Sequence, residues 1–166
     1  MTTDAAPPPP PSDGLVEVPG WGAIPAGEYA FPGPLRDRLV GAILLAAKTS
    51  TTSLVVEWER DGERLPEPGD LEAVLDSTGR PVCVIRNTEV QVCRMADVTA
   101  AHARAEGEGF ADATAWRAAH EEFWNSPEFV ASLGDPPVAL DDDTEVVCVA
   151  FEVVDHLPTP DGPAGA

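Results

Sequence analysis

The chain has 166 residues and carries 10 Lys plus Arg against 29 Asp plus Glu, a formal net charge of −19. Long nucleic acids are held mainly by Lys and Arg on their phosphates, so this balance argues against an extended footprint on RNA or DNA, while a local pocket can still carry a field of its own. No apolar run approaches the roughly 18 residues of a membrane-spanning helix, and the N-terminus lacks the basic and apolar regions of a secretory signal, so a cytoplasmic protein with no membrane partner is expected.

In chain order, residues 1–13 are Pro-rich and expected to be disordered, and 14–157 are expected to form one domain. Pro34 followed by Leu35, Leu39, Val40, Ile43, Leu44 and Ala47 predicts a helix over 34–47, with Arg36, Asp37 and Arg38 on its polar face and Lys48 at its end. Residues 52–59 read as a strand, 60–70 as a loop and 71–76 as a strand. Ser77 to Arg80 reads as a hairpin turn, and 81–95 as one long strand or two with a bend near Asn87. Asp97 is placed to cap a helix reaching about residue 105, and a second helix is predicted over 112–125, broken by Ser126-Pro127. The apolar run 145–154 predicts a strand central in a sheet, and 158–166 a disordered tail. The sum is an α+β protein with several short strands and three helices, in a curled sheet or small barrel. Cys83, Cys93 and Cys148 fall in strand-like segments without metal-ligand spacing and read as buried, reduced thiols.

Lys48 is the only lysine, every other basic residue being Arg. A cation after a helix complements the helix dipole. Lysine also offers what arginine does not, a compact ammonium that loses its proton when desolvated and can then serve as a base. The hydroxyl run Thr49, Ser50, Thr51, Thr52, Ser53 follows directly. In an extended segment, 49, 51 and 53 face one side and 50 and 52 the other, so one set can face a pocket. His102 and Glu106 share a helical face, and Gly107 and Gly109 permit a tight turn beyond them. Trp116, His120 and Trp124 form an aromatic stripe whose spacing also fits core packing, and Arg117 is spaced to pair with Glu121.

Two segments carry a resemblance. Residues 39–54, LVGAILLAAKTSTTSL, resemble the apolar helix and Gly-Lys-Lys-Thr-x-Thr-Ser signature of the ASCH domain family. Residues 101–124, AHARAEGEGFADATAWRAAHEEFW, resemble its second signature. One departure is Ala46-Ala47, where the family usually has Gly and a polar or basic residue. The resemblance implies a PUA-like fold, a small β-barrel of about five to six strands flanked by about three helices, with a cleft for a nucleoside or RNA-derived ligand. It implies a hydrolase acting on an amide of a modified cytidine such as N4-acetylcytidine, with Lys48, Thr51 and Glu106 as catalytic residues. Thr49, Ser53, Arg86, His102, Trp116, Arg117 and His120 are the candidate ligand contacts. No metal or cofactor is expected. The alternatives are an RNA-binding or RNA-cleaving module acting on short RNA, and a non-catalytic small-ligand-binding protein.

Overall fold

A computed structural model describes residues 14–158. The Pro-rich segment 1–13 lies outside the described residues, as does the expected tail apart from Pro158. Among the described residues six strands are formed: β1 (Leu15–Val18), β2 (Gly22–Gly27), β3 (Ser50–Leu54), β4 (Leu71–Leu75), β5 (Pro81–Arg94) and β6 (Glu145–His156). Five helices accompany them: α1 (Pro34–Leu44), α2 (Val55–Asp61), α3 (Ala100–Ala105), α4 (Ala113–Trp124) and α5 (Pro127–Leu133). The strands lie in one mixed sheet in the order β1-β2-β4-β5-β6-β3, with β2 and β4 parallel. The α+β class holds, but the expected barrel gives way to an open sheet with five helices rather than three. Closure requires the two terminal strands to pair, and among the described residues β1 and β3 remain the ends of the order.

The chain divides into two compact units. The first takes the described residues up to Ala46, Gly69–Arg86 and the described residues from Glu152 onward. Val18, Ile24, Ala73 and Val84 are its buried cluster, with Trp21, Leu71 and Val154 packed against them. The predicted β4–β5 hairpin forms because the Asp76 carboxylate accepts from the backbone N–H groups of Thr78 and Arg80, at 2.8 and 3.1 Å. Helix α1 starts at Pro34 as expected and buries Leu39, Val40 and Ile43. Arg36, expected on its polar face, is instead 2% exposed. Its guanidinium donates to the carbonyls of Ala30 and Asp76. The helix stops one turn early, and Ala46 takes a left-handed φ of 57° that redirects the chain. Tyr29 donates to Glu72 Oε1 at 2.9 Å. Gly27 leaves room for that carboxylate, which a Cβ at 27 would strike.

The second unit is Ala47–Pro68 and Asn87–Phe151. In it β3 pairs antiparallel with β6, Ser50 opposite Ala150 through Leu54 opposite Val146. The strand expected over 52–59 ends at Leu54, and a helix follows. Glu57 Oε2 accepts the Leu54 N–H at 2.7 Å, Trp58 Nε1 donates to Ser53 Oγ at 2.9 Å, and Gly62 closes the turn at φ 69°. These bonds outweigh the β preference of Val55 and Val56, and Val55 packs with Val147 and Val149. Thr99, not Asp97, caps α3, accepting from His102 N at 3.1 Å. Asp97 is drawn instead to Arg94, 2.9 Å away. Asp112 caps α4. Ser126-Pro127, expected as a break, is the cap and first residue of α5, the Ser126 hydroxyl accepting from Phe129 N.

Candidate functional site

The site is built where the residues leading into β3 meet the end of α3, all within the second unit. Thr49 N donates to Ala105 O at 2.8 Å, and Phe151 N to Thr49 O at 3.0 Å, so both neighbours hold this backbone. Gly107 has a φ of 70°, and a Cβ there would lie 2.7 Å from Lys48 Cα and closer still to the Ala47 carbonyl. Only glycine permits that approach.

Lys48 is 2% exposed and Glu106 1%. Lys48 Nζ donates to Ser50 O at 2.8 Å and to Glu106 O at 3.3 Å, and lies 3.8 Å from Glu106 Oε1. Burial pulls the Lys48 ammonium below its usual value, with Glu106 and Glu108 opposing. Burial alone would raise the Glu106 carboxyl, but His120, Lys48 and His102 beside it bring it below the ordinary range. The hydroxyl that joins this pair belongs to Thr52. Its Oγ1 is 2.7 Å from His102 Nε2 and 3.4 Å from Glu106 Oε1. Ser50, two residues earlier on the same face, donates to His102 O at 3.2 Å. His102 is held below its usual value, chiefly by burial, which favours the neutral imidazole.

His120 completes the cluster. Its ring stacks on Trp116 at 4.4 Å and meets the edge of Trp124 at 5.1 Å. Its Nδ1 is 2.8 Å from Trp116 O, and its Nε2 is 3.4 Å from Glu106 Oε2.

Of the residues named from sequence, the fold brings together Lys48, Glu106, His102 and His120. Thr51 is half-buried opposite Val149, on the face of β3 that Thr52 does not occupy, because side chains alternate along a strand. Thr49 Oγ1 reaches Ala105 O at 3.4 Å, and Ser53 Oγ accepts from Trp58, so both hydroxyls hold structure. Trp116 is fully buried and stacks on the His120 ring. Arg117 is engaged by Glu121 at 2.7 Å and by Asp142. Arg86 belongs to the first unit and lies 3.9 Å from Glu152. Thr52 and Ser50 escape a reading based on family spacing. Leu54, apolar and buried, shares their parity and marks them as inward-facing.

The ASCH domain family model matches residues 28–155. A crystal structure of an Enterococcus faecalis V583 protein is 30% identical, with a TM-score of 0.62 over 72% of this chain and 68% of that one. The crystal structure of an ASCH domain from Lactobacillus crispatus JV V101 is also 30% identical, with a TM-score of 0.62 over 72% of each chain. No curated protein matches. A family model spanning most of the chain, and solved relatives of the same fold at this identity, show that the chain belongs to the ASCH domain family.

Proposed function

We propose that this chain is a hydrolase that takes a nucleoside-sized ligand and cleaves an amide on a modified cytidine, with Thr52 as nucleophile. The observation that carries the reading is the 2.7 Å contact of Thr52 Oγ1 with His102 Nε2, beside the buried Lys48–Glu106 pair. A hydroxyl becomes a competent nucleophile when a neutral base within hydrogen-bond reach can take its proton. With His102 in the tautomer that leaves Nε2 without a hydrogen, the Oγ1 proton passes to Nε2 as Oγ1 adds to the amide carbonyl carbon. The C–N bond then breaks, and the departing amine takes that proton. Water, giving a proton to His102, hydrolyses the acyl-threonine and restores the hydroxyl. Lys48 and Glu106 act as positioning residues, their charges holding the β3 and α3 backbones in one arrangement. Lys48 also lies close enough to the cluster to favour an anionic intermediate. The net charge of −19 favours a small ligand over a long polyanion.

The test follows N4-acetylcytidine by ultraviolet absorbance with wild type, Thr52→Val and Thr51→Val. Wild type is expected to turn over, Thr52→Val to lose roughly 100-fold or more, and Thr51→Val to stay within about threefold. A loss confined to Thr51→Val overturns the Thr52 assignment. Absence of turnover at high enzyme, with salt-sensitive binding of short RNA, replaces the hydrolase reading with an RNA-binding one.

A further inference from the structure

The sequence carries no metal signature, yet three ligand-type atoms converge beside Lys48. One atom each from Glu106, Glu108 and His120 lie within 4.8 Å of one another. Glu106 is 1% exposed, and its Oε2 is buried without a hydrogen-bond partner. A buried carboxylate oxygen left that way is costly, and natural folds rarely retain one without an occupant for the space in front of it.

His120 narrows what that occupant is. Its Nδ1 lies 2.8 Å from the Trp116 carbonyl, which can only accept, so Nδ1 carries the hydrogen. In the neutral ring Nε2 then presents a lone pair, aimed at Glu106 Oε2 across 3.4 Å. Two such lone pairs facing each other in a buried space repel, so a positive species belongs between them, either a proton on Nε2 that holds the Glu106 carboxyl down or a metal ion. A hydrogen bond from a proton on Nε2 usually spans about 2.7–3.2 Å, and the pair stands at 3.4 Å. Two ligands on one tetrahedral ion, each about 2.0–2.1 Å from it, stand about 3.4 Å apart. A ligating histidine commonly anchors its other ring nitrogen on a backbone carbonyl, as His120 does. Gly107 and Gly109, with φ of 70° and 87°, flank half-buried Glu108 and turn its segment back toward the pair.

We propose that Glu106, Glu108 and His120 form a binding site for a divalent first-row transition-metal ion, zinc in the first instance, with the remaining coordination position open to water or ligand. Two carboxylates and an imidazole suit such an ion better than Mg2+, which takes oxygen ligands and keeps its waters. The site does not depend on the hydrolase reading, since it is argued from His120 and Oε2 rather than from Thr52.

Isothermal titration of the full chain, first freed of metal by a chelator, with zinc chloride tests it. The expected result is one saturable site with affinity in the micromolar range or tighter. Glu108→Gln and His120→Gln are each expected to weaken it at least about tenfold, while His156→Gln, outside the cluster, leaves it unchanged. Absence of saturable binding overturns the proposal and leaves a protonated His120 as the occupant. Binding that Glu108→Gln leaves unaltered overturns it equally. Glu108 is half-buried on a loop, so that variant decides the matter if His120→Gln fails to fold. Turnover of N4-acetylcytidine is a separate measurement, so loss of one reading leaves the other standing.

Discussion

At the scale of single residues, two small packing facts govern the site and its neighbour unit. Gly107 lets the end of α3 lie against the backbone that delivers Lys48, and the atoms a Cβ would meet are main-chain atoms that cannot rotate away. Gly107→Ala is therefore expected to cost roughly 2 kcal/mol or more, combining an unfavourable φ with a backbone clash. Denaturant unfolding measures it, and a change below about 0.5 kcal/mol would contradict the close approach. In the first unit, burial raises the Glu72 carboxyl above its usual value, with the Tyr29 hydrogen bond partly opposing. The folded state then holds this proton more tightly than the unfolded chain does. The linked stability is present at low pH and is lost as pH rises through the folded value. Glu72→Gln keeps an acceptor for Tyr29 and removes the titration. It is expected to raise the melting temperature relative to wild type at about pH 7.5 and to leave it unchanged near pH 4. Melting curves at the two pH values check the sign.

At the scale of elements, the long or strongly patterned segments were legible and the short ones were not. Helix α4, with its capping Asp112, and the β4–β5 hairpin follow from periodicity and turn chemistry. Strand β6 lies between β5 and β3, as its apolar run implies. Helices α2 and α5 have seven residues each; α2 begins in a β-branched stretch, and at α5 Ser126-Pro127 reads as readily as a break as it does as a cap and first residue. Helices this short are fixed by caps and tertiary contacts rather than by propensity. For α2 the cap is the Glu57 carboxylate on Leu54 N–H. Glu57→Ala is expected to lower stability by about 1 kcal/mol, and Glu57→Gln by less, in chemical denaturation. Equal losses would show that the carboxylate's charge matters more than its acceptor. The parity of β3 belongs here too. Family spacing pointed to Thr51, and the buried Leu54 anchors the opposite set, Ser50 and Thr52.

At the scale of the whole molecule, the family and the α+β class were legible because two separated signatures occur in order, and such signatures encode both a helix–strand junction and a helix end. The open sheet and the two units were not, because they depend on strand pairings between segments far apart in the chain, such as β2 with β4. The meeting of His120 with Glu106 was equally hidden. Fourteen residues separate them, and only the placement of α4 against α3 decides whether they touch. Lys48 carries one further consequence. A chain with a single lysine, 2% exposed, keeps its only ε-amine out of reach of acylating reagents and lysine-directed proteases while the second unit is folded. Every molecule that does react at Lys48 has first opened around β3, so this buried residue is also the protein's own chemical clock for local unfolding.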